Sequence, residues 1–359
     1  MATKKAQDKA AAGGAGSSAP IRKVGFGLIG WGPWGQHLAR SILNSTRGDV
    51  VTVWTRSEET AAKIRWAGFN ATTNVDELIN HPKVEAVIVA SPNALHLEHC
   101  LKVCAAKKAL WAEKPLVLNL KDYDTILNAV EKAGIINHCN FGMRYGGAQR
   151  TLIEMSAAGT LGEPMHLISR ECRGTGLFAL GGAHKAVKNP DISGGWIVHH
   201  MCHQVDFAIR LVRQKVVRVY CQTTKSCPEC PSEESVAAIL TTENGAILEL
   251  ADGVAPQADH HLSYLASKAM CLEEHGMLNF RGHDPESVAT HGFGGSSTLL
   301  TPEGWGDDSM VAFIGAITGV APNRHYKLEI APIREGRHVL EVLLAMRESA
   351  KTNKPVALG

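Results

Sequence analysis

The stretch VGFGLIGWGPWGQHLARSILNS, residues 24–45, decides the fold. Val24–Leu28 reads as a short apolar strand, and Gln36–Ser45 as a helix with Leu38, Ile42 and Leu43 turned inward. Between them stands Gly30-Trp31-Gly32-Pro33-Trp34-Gly35, a G-x-G-x-x-G string. The first glycine makes the tight turn. The second lets a pyrophosphate approach the backbone, and the third packs helix against strand. The phosphate then lies on a helix N-terminus, where unpaired N–H groups and the helix dipole favour an anion.

Outward from this loop the same alternation continues. Val50–Trp54, Val84–Ala90, Ala109–Ala112 and Ile135–Cys139 read as strands, with helices between them, among them Leu95–Ala106. Ser57 is placed as an N-cap with Glu58 and Glu59 in the first turn, and Gly68 closes that helix. Asn119 caps a helix to Lys132. Strands alternating with helices imply βαβ units and a buried parallel sheet. The expectation is an α/β dinucleotide-binding Rossmann domain over residues 21–143.

After Tyr145 the texture changes. A helix Ala148–Ala158 is followed by strand-like runs, Met165–Cys172, Val216–Thr223, Ser235–Leu240 and Ala246–Leu250, mostly without helices between them. That pattern predicts an α+β domain with a mainly antiparallel sheet over residues 144–359. A helix over Gly195–Val212 interrupts it. Two helices, Asp308–Gly319 and Ile333–Ala350, precede a last strand, Pro355–Leu358. The Gly-rich stretch Gly174–Ser193 reads as an active-site loop.

Composition narrows the class. The chain has 359 residues, room for two domains, and 45% apolar residues, enough for real cores. The 37 basic and 35 acidic residues nearly cancel, which argues against a nucleic-acid or membrane-surface partner. No apolar run is long enough for a transmembrane helix. Residues 1–20 read as a disordered tail without a secretory leader. Nine Cys without framework spacing point to reduced thiols and a cytoplasmic location. Cys227-Pro228-Glu229-Cys230 reads as a turn carrying two thiols, since no second pair accompanies it.

The end of the second strand bears on the choice of cofactor. An acidic residue there would hold a ribose 2′-hydroxyl and repel a 2′-phosphate. Thr55-Arg56-Ser57 instead offers a cation and two hydroxyls, so within NAD(P) the reading favours NADP. Ser91-Pro92-Asn93 with His96, and Glu113-Lys114-Pro115, fall at the carboxyl ends of neighbouring strands, where a dinucleotide is expected to lie. Downstream, Gly194-Gly195 leads into a helix bearing His199, His200, His203 and Asp206.

With these motifs the sequence resembles the glucose–fructose oxidoreductase/inositol dehydrogenase (Gfo/Idh/MocA) family over about residues 21–359. The resemblance rests on GxGxxG, S-P-N-x-x-H, E-K-P, and a G-G-led helix with His and then Asp three residues on. It implies a C-terminal domain with a large open sheet that carries subunit contacts, hence a homo-oligomer. It also implies oxidation of a secondary hydroxyl on a sugar, glycoside or cyclitol, with the 3-hydroxyl of a glycoside as one case. Lys114 and His203 would then act on the reacting oxygen. An imidazole is a suitable proton acceptor, and an ammonium beside it stabilises developing negative charge. Arg144, Tyr145, Asp191, His199 and His200 are the expected substrate contacts.

One departure stands out. The family usually has Asp four residues before the catalytic His, and His199 occupies that place, so it joins Lys114 and His203 as a catalytic candidate. A His pair at this spacing could also begin a metal site, with His184 or Asp191 as a third ligand, but no metal is expected. Two rival readings keep the fold. One is a redox-neutral glycosidase, epimerase or lyase with a tightly held cofactor. The other is a dinucleotide sensor without turnover.

Overall fold

The computed structural model describes residues 22–174, 189–225, 231–255, 259–274, 277–282, 296–300, 307–320 and 327–359. The tail, Cys227–Cys230, His184 and most of the Gly174–Ser193 loop lie outside them.

Six short strands form the first sheet: β1 (Val24–Ile29), β2 (Gly48–Trp54), β3 (Ala71–Thr72), β4 (Ala86–Val89), β5 (Ala109–Ala112) and β6 (Asn137–Cys139). All pairs are parallel and the order is β3-β2-β1-β4-β5-β6. This is the doubly wound order, with its reversal between β1 and β4, where a ligand crevice opens at the carboxyl ends. β4 is buried throughout, as expected of a strand covered on both faces. The caps read from the sequence form. The Thr60 amide donates to Ser57 Oγ at 3.2 Å and the Asp122 amide to Asn119 Oδ1 at 2.9 Å. Sequence reading omitted β3 and the six-residue helix Val75–Asn80, which is too short to show a period and starts on an Asn74 cap.

The second sheet has nine strands: β7 (Pro164–Gly174), β8 (Val216–Thr224), β9 (Ser235–Thr242), β10 (Ile247–Ala255), β11 (Asp259–Ala266), β12 (Ala269–Glu274), β13 (Met277–Gly282), β14 (Ser296–Leu300) and β15 (Val356–Ala357). Their order is β14-β13-β12-β11-β7-β10-β9-β8-β15, antiparallel except between β7 and β10. Alternation is clean in β9, where Val236, Ala238 and Leu240 turn inward. The inner face packs on helices Cys202–Val212 and Gly336–Thr352.

The single helix expected over Gly195–Val212 is two, Gly195–His199 and Cys202–Val212, broken at His200–Met201. The two halves of the chain also interlock. Helix Asp307–Thr318 packs on helix Pro33–Asn44 and β1, adding Met310, Phe313 and Ile314 to the core of Phe26, Leu28, Ile42 and Trp111. Beyond it, the stretch 331–333 runs along β6. The Cys139 amide donates to Ala331 O at 2.8 Å, and the Ile333 amide to Asn137 Oδ1 at 2.8 Å. That edge is thereby covered.

Candidate active site

The phosphate loop is built as its glycines require. Gly30 has φ +111°, and a Cβ there would lie 2.5 Å from the Ala90 carbonyl oxygen. A Cβ on Gly35 would lie 2.2 Å from the Gly30 oxygen. Gly32 is different, because nothing lies within 4 Å of the Cβ it lacks. It is also the N-cap of helix Pro33–Asn44 and offers no side-chain cap to the helix amides. Open space over uncapped N–H groups fits a dinucleotide pyrophosphate. Gly32→Ala is therefore expected to melt within a few degrees of the parent yet bind dinucleotide at least ~10-fold more weakly, read by calorimetry. Trp31 sits edge-on to Phe69 at 5.2 Å, and Trp34, 47% exposed, lies against His37.

At the end of β2 only part of Thr55-Arg56-Ser57 is open to a ligand. Thr55 is buried, and its amide donates to Thr72 O at 3.2 Å. The Ser57 hydroxyl is engaged as a cap and donates to Thr60 Oγ1 at 2.9 Å. Ser57 and Arg56 are both exposed, Ser57 with its hydroxyl engaged in the cap and Arg56 with its side chain open to solvent.

The turn after β4 is sewn to the segment after β5. Asn93 Nδ2 donates to Pro115 O at 2.5 Å, and Ser91 Oγ pairs with His99 Nδ1 at 2.9 Å. His96 lies between two backbone carbonyls, Nδ1 at 2.9 Å from Leu116 O and Nε2 at 2.7 Å from Ser91 O. Its burial holds the imidazole below its ordinary pKa. His96 is therefore a brace between the two turns rather than a cofactor contact, and Pro92 begins the turn that it braces. Glu113 is buried as well, and accepts from Trp111 Nε1 at 3.1 Å and Asn140 Nδ2 at 2.8 Å. Burial pushes its carboxyl up, against the hydrogen bonds of Trp34, Trp111 and Asn140 and the charge of Lys114.

Lys114 joins the two domains. Its Nζ donates to the His199 backbone oxygen at 3.0 Å. The helix Gly195–His199 it meets is held at its start by the β8–β9 connection. There the Trp196 amide donates to Ser232 Oγ at 3.0 Å, and the Ile197 amide to Glu233 Oε1 at 2.9 Å. Gly194 and Gly195 are both left-handed, with φ +84° and +73°. Trp196 donates from Nε1 to Asp252 on β10 at 3.1 Å. Its ring lies against His200 at 4.1 Å, and His200 meets His199 edge-on at 4.9 Å. His199 and His200 are buried and His203 is half-buried. The fixed base of this cluster, Ser232, Glu233 and Asp252, carries no motif and was invisible in the sequence.

Two expected substrate contacts are spent inside the protein. Arg144 is buried, with Nε donating to Asp206 Oδ2 at 2.9 Å and Nη1 to Glu335 Oε2 at 2.7 Å. Tyr145 is buried, and its hydroxyl donates to Glu329 O at 2.7 Å. Both follow β6 as expected, but their polar groups face the second domain's framework. Asp191 is exposed on the short helix Pro190–Ser193.

Residues 24–141 match a family described as an oxidoreductase family with an NAD-binding Rossmann fold. Residues 149–265 match the GFO/IDH/MocA C-terminal domain. The chain belongs to the Gfo/Idh/MocA family. Among curated Gfo/Idh/MocA-like relatives it is similar to 1,5-anhydro-D-fructose reductase of Ensifer adhaerens, at 32% identity over 39% of this chain and 43% of that protein. It is similar also to myo-inositol 2-dehydrogenase of Thermotoga maritima, at 31% identity over 40% and 41%. These alignments thus span less than half the length of either relative. A solved levoglucosan dehydrogenase, in complex with NADH and levoglucosan, shares the fold with a TM-score of 0.78. Its identity is 18%, over 94% of this chain and 99% of that one.

Proposed function

We propose that this member of the family is an NAD(P)-dependent dehydrogenase of a secondary hydroxyl on a sugar, glycoside or cyclitol. The observation that carries the reading is Lys114. It stands at the end of a strand beside the dinucleotide crevice and reaches the His-bearing helix of the other domain. When bound, the nicotinamide supplies the hydride acceptor, or the donor in the reverse direction. The chain supplies the rest. Gly32 and the helix amides hold the pyrophosphate. Lys114 orients the reacting oxygen and stabilises its developing charge. His203 takes the hydroxyl proton, with His199 and His200 packed beside it.

The named relatives act on anhydrosugars and a cyclitol by their names, which supports the substrate class. The test is absorbance at 340 nm with sugars, glycosides and cyclitols, each with NAD and NADP. Net change with one cofactor is the expected outcome. Substrate conversion without absorbance change, with dinucleotide released on denaturation, would overturn it in favour of redox-neutral chemistry.

NADP is the proposed cofactor, because the exposed Arg56 has no acidic neighbour at Thr55 or Ser57 to repel a 2′-phosphate. Arg56→Asp is expected to move the ratio of kcat/KM for NADP over NAD by ~10²-fold towards NAD. An unmoved ratio would mean that Arg56 does not meet the phosphate. We further propose a homo-oligomer through the outer face of the second sheet, where Met165, Tyr220, Ile239 and Ile247 are exposed. Among the described residues, seven cysteines are free thiols, which fits a reducing cytoplasm. Among the same residues no helix is long and apolar enough to cross a membrane.

A further inference from the structure

Five residues after β6 touch both halves of the proposed reacting pair. At one end, the Asn140 amide donates to Ala112 O at 3.0 Å, and Asn140 Nδ2 holds Glu113, the immediate neighbour of Lys114, at 2.8 Å. At the other end, Arg144 grips Asp206 with two parallel bonds, Nε to Oδ2 at 2.9 Å and Nη2 to Oδ1 at 2.5 Å. Asp206 lies three residues after His203 on helix Cys202–Val212, so both occupy one face. The side chains of Arg144 and Asp206 are only 7% and 2% exposed. Between the two ends the backbone is tightened by the short turn Gly142–Tyr145, and the guanidinium lies over the Phe141 ring.

A forked guanidinium–carboxylate pair fixes distance and plane together, which a lysine or an apolar contact does not. Burying this pair of charges is also a poor route to stability, since well-packed apolar residues often serve equally well. We propose that Asn140–Arg144 is a strut that fixes Lys114 relative to His203, with Asn140, Arg144 and Asp206 as positioning residues. The inference rests on the assignment of Lys114 and His203 as the reacting groups.

The strut also makes an electrostatic statement. Burial pushes the Asp206 carboxyl up, and Arg144 beside it pulls it back towards the charged form. Asp206→Asn removes the forked carboxylate and leaves the Arg144 cation facing His203's helix with Glu335 as its remaining carboxylate partner. Protonated His203 is then disfavoured and its titration midpoint falls. The other charged or titratable groups around that helix, Arg210 and Glu335 foremost, with Lys114, Arg150, His199, His200, Asp252 and His338, are the same in parent and variant.

The decisive experiment is an NMR titration of protein labelled with nitrogen-15 histidine, with the His203 signal assigned by its loss in His203→Gln. It needs no substrate. The expected result is a lowered midpoint in Asp206→Asn. In Arg144→Lys, which keeps the charge and loses the fork, NADPH affinity should stay within ~3-fold of the parent while turnover falls at least ~10-fold. A His203 midpoint unchanged in Asp206→Asn would overturn the proposal, as would full turnover in Arg144→Lys. A shifted midpoint together with undiminished turnover in Lys114→Ala would keep the coupling but remove the catalytic reading beneath it.

Discussion

Lys114→Ala is expected to lower the rate of hydride transfer by ~10²–10⁴-fold while dinucleotide affinity changes only a few-fold. On the proposed mechanism two functions leave with the ammonium. One is the positive charge at the carboxyl end of β5, beside the crevice, where a substrate oxygen gains negative charge as its proton departs. The other is the bond to the His199 carbonyl, which ties the first domain to the helix pair bearing His199 and His203. The proposed pyrophosphate site lies elsewhere, at Gly32 and the uncapped start of helix Pro33–Asn44, so binding is expected to persist. Stopped-flow absorbance at 340 nm reads the chemical step, and quenching of Trp31 and Trp34 reads binding. Loss of both would mean that Lys114 supports the cofactor domain rather than the reaction. An unchanged rate would remove Lys114 from the mechanism.

The sequence disclosed what depends on neighbours along the chain. The phosphate loop, the βαβ alternation and the Ser57 and Asn119 caps are local, and all formed. What escaped is set by residues far apart. Arg144 reads as a free cation after a strand, and only the fold brings Asp206 and Glu335 to it. His96 reads as a crevice ligand in a motif, and only the backbone of Leu116 shows it to be a brace. The strands β11 and β12 escaped because polar residues interrupt their inner faces. His260 stands on β11 between Glu171 and Glu273, where a simple apolar alternation would be sought. Within the His cluster, the identities of His199, His200 and His203 were legible. The break at His200–Met201 that puts His199 and His203 on two helices was not, because no proline or glycine marks it.

Phe313→Ala is expected to weaken the dinucleotide domain although residue 313 lies some 170 residues beyond that domain's last strand. Its ring is fully buried, edge-on to Trp111 at 5.5 Å, and near Phe26 and His138 at 6.3 and 5.9 Å. Those partners sit on β1, β5 and β6, so the ring fills space beneath the strands that shape the crevice. His138 shows how dry that space is, since burial pushes its imidazole down to about 3. Truncating a buried Phe costs ~3–5 kcal/mol through lost transfer energy and the cavity left behind. The loss should appear as ~10²–10⁴-fold less hydrogen-exchange protection for the amides of β1 and β5. Leu340→Ala, on helix Gly336–Thr352 where it packs against β8, provides the contrast, because its loss should fall first on β8. If Phe313→Ala instead loosened only helix Asp307–Thr318, the first sheet would be complete without that helix. If β1 and β5 loosen together with it, the cofactor domain requires a segment from the far end of the chain. Dinucleotide affinity would then report on packing as well as on the loop that meets the phosphate.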